Sequence, residues 1–158
     1  MDVEARLREL GHELPQSPPT PSNYRRHKLV GNLLFLAAHG PWRDGKRAYV
    51  GKVGRELTKE QAYDAARIVA LNHLASAKEA LGDLSRIKGV VKVTGAINVA
   101  PGFDELPAVM NGISDLYVAI WGDEGVHTRA VWGAAEMPGG FPLEIDAIFE
   151  VDPKAASL

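Results

Sequence analysis

The chain is 158 residues long, 46% of them apolar and 24% charged, with a formal net charge of −2 and no cysteine. The length and composition predict one ordinary globular domain over residues 1–158. The lack of cysteine excludes disulfides, thiolate catalysis and cysteine-ligated metal, and the small net charge excludes a global field that attracts nucleic acid. No segment approaches the roughly 18 apolar residues of a membrane span and the N-terminus lacks a signal-like apolar region, so we expect a cytoplasmic protein.

An N-terminal extension, residues 1–22, is predicted to combine a short helix with a proline-rich stretch. Val3, Leu7 and Leu10 recur at helical spacing among charged residues, which indicates an amphipathic helix. The segment 14–24 contains four prolines, so it should run extended across a surface rather than form regular helix or central strand. Packing of the helix against a neighbouring subunit would account for its presence.

Strands are predicted at about 28–38, 46–51 and 84–100, where apolar residues run together or alternate with polar ones. Glycine-proline and aspartate-glycine pairs between the first two strands provide the chemistry of a turn. Two helices and a C-terminal pair of strands complete the order, without an internal repeat or linker.

Two helices are predicted, each with a recognisable beginning. Thr58 lies three residues before Gln61, a capping-box arrangement that begins the first helix, and Gly82 is placed to end it. The second helix runs from about 104 to 121 and tolerates Pro107 because that residue lies in the first turn. The many alanines of the first helix indicate a close approach to the sheet.

The C-terminal segment His127–Val151 is predicted to be a β-hairpin, because two apolar stretches flank a turn of prolines and glycines at 138–142. Side chains of a strand alternate between its two faces, so parity sorts them. Leu143 and its alternate neighbours form a core face, while Arg129 shares the other face with carboxylates such as Glu144. That charged face lies on an otherwise apolar strand pair and needs an explanation by function.

Two helices on one face of a mainly antiparallel sheet make a two-layer α+β arrangement in which the second sheet face is open. In a monomer that face would expose Val131, Ile148 and their neighbours, a larger apolar patch than soluble monomers usually show. We therefore expect the chain to associate with copies of itself.

The spacing of residues in the C-terminal segment is that of a known signature. Arg129 is followed nine residues later by Pro138 and then by the run Leu-Glu-Ile-Asp-Ala-Ile at 143–148. This pattern resembles the C-terminal signature of the RidA/YjgF family, whose members are also called reactive-intermediate deaminases and, in older usage, L-PSP endoribonucleases.

The resemblance extends to most of the chain beyond this segment. Tyr24 followed by Gly31 and Asn32 matches the opening of the family pattern. Residues 38–41 stand where the family usually has a Ser-Gly-Gln-x-Pro turn, and Asn111 falls on the family's asparagine in the second helix. The first helix is an addition to this pattern.

The resemblance implies a chorismate-mutase-like α+β fold and a homotrimer with ligand clefts between its subunits, which would cover the open sheet face. It implies an enamine/imine deaminase that hydrolyses small 2-imino acids to 2-keto acids and ammonia, without a metal or organic cofactor. A non-catalytic trimeric module that binds small carboxylates is the alternative. The net charge of −2 and the lack of a histidine pair or a basic groove disfavour the endoribonuclease assignment.

The resemblance assigns the central role to Arg129, whose paired N–H donors match a carboxylate bidentately and so orient the adjacent C=N carbon. The alternative is a cross-strand ion pair, because the predicted hairpin puts Arg129 opposite Glu150. Glu144 would hold or activate a water, or else be an ordinary solvated carboxylate. In this hairpin Glu144 pairs near Ala135, about 20 Å from Arg129 at roughly 3.3 Å per residue, so the two would meet only across a subunit interface.

Three further residues complete the predicted site. Tyr24 would line the cleft and Asn111 would contact the ligand; packing and a helix-surface position are their respective alternatives. Val131 stands where many family members carry a cysteine, so the proposed chemistry has to proceed without that thiol. His39 and His127 titrate near neutrality, but lone loop histidines are mostly solvated, and no residue spacing in the sequence indicates a metal site.

Overall fold

The computed structural model describes residues 1–18, 20 and 22–152. The helices within them are α1 (Val3–Glu9), α2 (Lys59–Leu81) and α3 (Leu106–Trp121). The strands are β1 (His27–Val30), β2 (Leu33–His39), β3 (Trp42–Arg43), β4 (Lys46–Arg47), β5 (Ile87–Asn98), β6 (Thr128–Ala134) and β7 (Leu143–Val151). Short 3-10 turns lie at Leu84–Arg86, Gly122–Gly125 and Pro138–Gly140.

Five of the strands form one sheet in the order β1-β2-β7-β5-β6, and β3 pairs with β4 in a small separate hairpin. Neighbouring strands of the large sheet are antiparallel except β5 and β6, which run parallel. Helices α2 and α3 pack against each other and against one face of the sheet. The predicted two-layer α+β arrangement is therefore confirmed.

The predicted C-terminal hairpin is wrong, because β5 lies between β6 and β7. Arg129 on β6 is level with Val93 on β5, and Val93 is level with Ala147 on β7. The connection 135–142 therefore passes over the end of β5 instead of making a tight turn. Alternation along a strand determines which face a side chain takes, but it leaves open which strand lies alongside.

The predicted strand 28–38 is in fact the hairpin β1–β2, which turns at Gly31. Gly31 has a φ of +59°, a conformation that favours glycine. Apolar residues continue on both sides of the turn, which concealed it in the sequence. The predicted strand 46–51 is reduced to Lys46–Arg47, and the strand predicted at 84–100 begins only after a 3-10 turn.

Both predicted ends of α2 are confirmed. The amide of Gln61 donates to the hydroxyl of Thr58 at 3.1 Å, and the amide of Thr58 donates to the Gln61 side chain at 2.9 Å. Gly82 follows the helix with a φ of +76°. Helices α2 and α3 approach closely, because Gly112 of α3 lies against the carbonyl oxygen of Tyr63 of α2 at a point where a Cβ would clash.

Helix α1 packs against the core of its own chain, and the expected contact with a neighbouring subunit stays a prediction. Val3 and Leu7 are each 1% exposed, and Nε of Arg6 donates to the carbonyl oxygen of Ala119 near the end of α3 at 3.1 Å. The predicted amphipathic face is thus the face that α1 turns toward the core. The proline-rich stretch that follows has no helix or strand where it is described, and residues 19 and 21 lie outside the described part.

The face turned away from α2 and α3 carries apolar side chains. Phe35 is 40% exposed and Trp132 is 53% exposed, and Phe35 is level with Ile148, which parity placed correctly on this face. Val131 does not belong to it: this residue is level with Gly95 and packs against the core on the helix side, so its predicted position is wrong. None of the described helices is long and apolar enough to cross a lipid bilayer.

Candidate functional site

Arg129 lies on β6 and turns its side chain toward α3. Its guanidinium donates to Oδ1 of Asn111 at 2.9 Å, to Oγ of Ser114 at 3.1 Å and to the carbonyl oxygen of Pro107 at 3.3 Å. The structure therefore brings together two of the predicted site residues, Arg129 and Asn111. Asn111 is neither a simple surface amide nor a helix cap, because it fixes the direction of the arginine.

The three groups that hold Arg129 are all neutral. A guanidinium has five N–H donors, so these bonds leave the Nε–H and one Nη2–H for a ligand. The alternative ion pair with Glu150 is contradicted, because Glu150 lies level with Leu33 and Gly89 and accepts instead from Asn32 at 3.4 Å. In the part of the chain that the structure describes, no carboxylate neutralises Arg129.

A chain of hydrogen bonds continues from Arg129 to His127. Nδ1 of His127 lies 2.7 Å from the carbonyl oxygen of Gly125, which can only accept, so Nδ1 carries the hydrogen. Nε2 of the neutral ring then accepts from the hydroxyl of Ser114 at 3.0 Å, and the same hydroxyl oxygen accepts from Arg129. The expected solvated loop histidine is therefore wrong for His127.

The electrostatics of His127 favour the neutral ring that this hydrogen-bond pattern requires. Burial lowers the pKa of His127, the hydrogen bond to Gly125 raises it, and the positive charge of Arg129 lowers it further. The net direction is below the ordinary histidine value. Ser114 thus lies between a permanent cation and an imidazole that stays neutral near pH 7.

Glu144 lies on the opposite face of the sheet from Arg129. Its neighbours Leu143 and Ile145 are fully buried on the helix side, so the Glu144 side chain turns the other way. Burial raises the pKa of Glu144 above the ordinary glutamate value. A half-buried carboxyl with a raised pKa is not the ordinary solvated strand carboxylate that was the alternative, and the shift makes it a stronger proton acceptor than a solvated glutamate.

Glu144 and Tyr24 share a cleft at the end of β2. The cleft has a volume of about 650 Å³, and its walls include Tyr24, Arg26, His39, Trp42, Phe141 and Glu144. Tyr24 remains 50% exposed, so its ring lines an open surface rather than packing into the core. The structure thus brings Tyr24 together with Glu144, and Asn111 and Val131 together with Arg129, in two separate groups.

Glu144 and Arg129 do not meet within one chain. Arg129 is level with Ala147, three positions from Glu144 along β7, and β5 lies between the two strands. Two strand spacings and three residue rises separate their Cα atoms by about 14 Å. The hairpin and the predicted separation of about 20 Å are therefore wrong. The observed register and the opposite faces still keep the two side chains apart within one chain.

His39 forms part of the cleft wall without offering a free nitrogen. Only 4% exposed, it donates from Nδ1 to the carbonyl oxygen of Ala37 at 2.6 Å and accepts at Nε2 from Ser76 at 2.8 Å. Burial lowers its pKa. The expectation of a solvated His39 is wrong, and both ring nitrogens serve the fold.

The sequence places His73 on the apolar stripe of α2, which is confirmed, but its hydrogen-bonding role was not predicted. Its Nε2 donates to the carbonyl oxygen of Ile145 at 2.9 Å, so Nδ1 accepts from the hydroxyl of Tyr117 at 2.9 Å. The ring lies edge-on to His39, with centroids 4.8 Å apart. The signal was a histidine within the apolar stripe of α2, which indicates a hydrogen-bonded core position.

Comparison with known proteins places this fold and these residues in a family. The family model described as "YjgF/chorismate_mutase-like, putative endoribonuclease" matches residues 4–144. The chain belongs to this family. Its fold is the chorismate-mutase-like YjgF fold, as the sequence resemblance implied, and the match begins within α1, so the first helix is not an addition to the matched pattern.

Several relatives cover nearly the whole chain. Protein TCP17 of Trypanosoma cruzi is 36% identical over 95% of this chain and 94% of its own length. The crystal structure of Atu1372 from Agrobacterium tumefaciens, a protein with unknown function, is 41% identical and covers 96% of this chain and 94% of that one, with a TM-score of 0.88. A structure from Shewanella oneidensis, described as a putative endoribonuclease, is 34% identical and covers 96% and 100%, with a TM-score of 0.92.

Structures named RidA are more distant. RidA from the Antarctic bacterium Psychrobacter is 24% identical and covers 86% of this chain and 94% of that one, with a TM-score of 0.59. At this identity the comparison shows a shared fold, and the activity of this chain has to be argued from its own residues.

Proposed function

We propose that this protein is an enamine/imine deaminase that hydrolyses small 2-imino acids to 2-keto acids and ammonia. One observation carries the proposal. Arg129 is held by the neutral acceptors Asn111, Ser114 and Pro107, while its charge stays unneutralised within the described residues and two of its N–H donors stay available. A guanidinium held in one direction, with two free N–H donors, suits bidentate binding of a planar carboxylate.

In the proposed reaction Arg129 binds the carboxylate and thereby fixes the adjacent imine carbon. A water adds to that carbon, and Glu144 takes one proton from the water and passes it to the nitrogen, which gives the carbinolamine. Glu144 then moves the remaining hydroxyl proton to the amino group, the C–N bond breaks, and ammonia leaves as the C=O bond forms. Because an imine is already electrophilic, positioning and charge neutralisation carry most of the rate, and the proposal needs no metal or organic cofactor.

The raised pKa of Glu144 supports its role as the proton acceptor. A base works best when its pKa lies near the working pH, and a buried carboxyl moves in that direction. Tyr24 would line the same cleft and orient the bound acid. Val131 would border the carboxylate site without chemistry of its own.

We propose further that the site forms between subunits of a homotrimer. Arg129 and Glu144 lie on opposite sheet faces about 14 Å apart by strand geometry, so a three- or four-carbon acid can touch both only if they come from different copies. The apolar face with Phe35 and Trp132 supplies a surface suited to such association.

A non-catalytic trimer that binds small carboxylates would use the same Arg129 and is the alternative. The endoribonuclease named in the family description finds less support. Both ring nitrogens of His39, His73 and His127 are bonded within the chain, so these imidazoles are not free for general acid–base catalysis on RNA.

The decisive experiment generates 2-iminopropanoate and 2-iminobutanoate with an amino-acid oxidase and traps the imine with semicarbazide. Wild-type protein is expected to lower semicarbazone formation, and Arg129→Ala is expected to abolish that effect. Arg8→Ala, which changes an exposed arginine on α1, is the matched control. If wild type has no effect while 2-keto acids raise its melting temperature, the protein is a binding module and the deaminase proposal fails.

A further inference from the structure

Arg47 lies at the cleft of Glu144 and is held in place by the turn before β7. Its Nη1 donates to the carbonyl oxygen of Gly139 at 2.8 Å, and its guanidinium carbon lies 5.3 Å from the centre of the Phe141 ring. Gly139 has a φ of +60°, and a Cβ there would lie 2.6 Å from that carbon. The turn is therefore shaped to receive the guanidinium.

The charge of Arg47 is not neutralised by any carboxylate hydrogen bond within the described residues. Its neighbours in sequence and space behave differently: Arg43 contacts Asp64 at 3.5 Å and Arg26 contacts Glu79 at 2.7 Å. Fixing a long side chain costs conformational entropy. For Arg47 this loss is offset only by one neutral hydrogen bond to Gly139 and by the contact with the Phe141 ring. A cation that is immobilised but uncompensated is suited to receive an anion, as for Arg129.

The cleft has room for more than a small monocarboxylic acid. Its volume of about 650 Å³ lies within the range of about 300–1,000 Å³ that is typical of sites for much larger ligands. Trp42 and Phe141 contact each other edge-to-face with centroids 5.3 Å apart and form an apolar wall beside Arg47. An aliphatic chain along this wall would end at the guanidinium.

We propose that Arg47 is a specificity-determining residue that selects substrates with a second anionic group, so that the preferred class is 2-imino dicarboxylates. The inference rests on the proposed function for the placement of the first carboxylate at Arg129 of a facing copy. The reacting carbon then lies near Glu144, and the distal carboxylate binds Arg47 at the far side of the same cleft.

The test compares two 2-keto acids of equal carbon number as stable stand-ins, 2-oxoglutarate and 2-oxopentanoate, which differ by the distal carboxylate. Isothermal titration calorimetry of the full chain at constant ionic strength measures both affinities. We expect wild type to bind 2-oxoglutarate about tenfold more tightly, as a charge-assisted hydrogen-bonded pair provides. Arg47→Gln should bring the two affinities within about twofold of each other, and Arg47→Lys should keep part of the preference.

Lys46→Gln removes one positive charge from the same hairpin outside the cleft lining and is the matched control; it should keep the preference for 2-oxoglutarate. Equal affinities in wild type, or an unchanged preference in Arg47→Gln, would overturn the proposal. Arg129→Gln distinguishes the Arg47 proposal from the proposed function, because loss of the first carboxylate anchor should lower the affinity for both 2-keto acids alike. If Arg129→Gln changes neither affinity while Arg47→Gln removes the preference, Arg47 binds the distal carboxylate but the deaminase proposal is wrong. If neither 2-keto acid binds to wild type, both proposals are wrong.

Discussion

Arg129 and Glu144 lie on opposite faces of one sheet, with Arg129 beneath α3 and Glu144 on the face turned away from it. Within a chain no small acid can touch both side chains. The proposed mechanism therefore requires that the Arg129 and Glu144 that act on one substrate belong to different copies of the chain.

Mixing two inactive variants should restore activity. Arg129→Ala lacks the carboxylate anchor and Glu144→Gln lacks the proton acceptor, so each homo-oligomer is expected to be inactive toward 2-iminobutanoate. In a trimer reassembled from equal amounts, about a quarter of the clefts would combine an intact Arg129 with an intact Glu144 if each cleft draws one residue from each of two copies. The semicarbazide assay after joint denaturation and refolding measures this recovery.

The control for this experiment mixes the two variants without denaturation, which leaves each homo-oligomer unchanged. Recovery should then stay at the level of the separate variants. If a refolded mixture remains inactive while refolded wild type regains activity, the residues act within one chain or one of them is not part of the site.

His127 should couple carboxylate binding to pH. The charge of Arg129 helps to lower the pKa of His127, so a carboxylate that neutralises Arg129 should raise it. By linkage, protonated His127 then favours the bound state, and affinity for 2-oxobutanoate should increase as the pH falls below about 6.5. Around the His127 ring, α3 supplies Ser114 and Tyr117, whose ring centroid lies 5.9 Å from that of His127, and β6 supplies Arg129.

The measurement is the affinity for 2-oxobutanoate between pH 7.5 and 5.5, with His127→Asn as the variant. We expect the wild-type rise to be absent in His127→Asn. Ser114→Ala should lower affinity throughout the range, whereas Ser114→Thr, which keeps the hydroxyl, should preserve it. An affinity that decreases with acid in wild type would show that the hydrogen-bond chain, rather than charge, dominates.

How much of this site the sequence could predict depends on the range of each signal. Thr58, Gln61 and Gly82 form contacts within a few residues, and their local pattern located both ends of α2 correctly. Arg129 and Asn111 meet only because α3 crosses over β6. Such a meeting has no local signature, and only the family resemblance drew attention to both residues.

The main error of the sequence analysis was the pairing of strands, which also has no local signature. Parity assigned Ile148 to the correct face, but the face of Arg129 was wrong because it was inferred from a pairing of β6 with β7 that does not exist. Through β5, Arg129 is level with Ala147 instead of Glu150, and this shift of three residues moves Arg129 to the other face. Arg47 escaped notice because its sequence context is an ordinary polar hairpin, and its partners, Gly139 and Phe141, are distant in sequence.

His73 should make the fold sensitive to acid. Burial lowers the pKa of His73 well below the ordinary histidine value, so below about pH 6.5 the unfolded chain binds a proton that the folded chain refuses. The free energy of unfolding should therefore decrease as the pH falls, by up to about 1.4 kcal/mol per pH unit from this one group. Urea unfolding between pH 7.5 and 5.5 measures the decrease.

The variant His73→Gln is expected to show a shallower slope against pH. Because the slope is compared rather than the absolute stability, packing lost at neutral pH does not affect the conclusion. The same slope in both proteins would mean that the folded and the unfolded chain protonate His73 equally readily.

Gly112→Ala should destabilise the protein strongly. The added Cβ would clash with the carbonyl oxygen of Tyr63, and backbone cannot move aside by changing rotamer. Alanine favours a helix by up to about 1 kcal/mol over glycine, but separating α2 from α3 should cost about 3 kcal/mol. Thermal and urea unfolding should show the net loss, and Val118→Ala, exposed at 41% on the same helix, should cost far less.

The position of β7 also determines when the fold can form during synthesis. Strand β2 pairs with β1 and β7, while β5 pairs with β6 and β7, so β7 alone joins the N-terminal hairpin to the other half of the sheet. A nascent chain that has emerged only as far as β6 holds two separate pieces with unpaired inner edges. Residues 143–151 must therefore leave the ribosome before the sheet can close, and until then the edges of β2 and β5 are open to pairing with other strands.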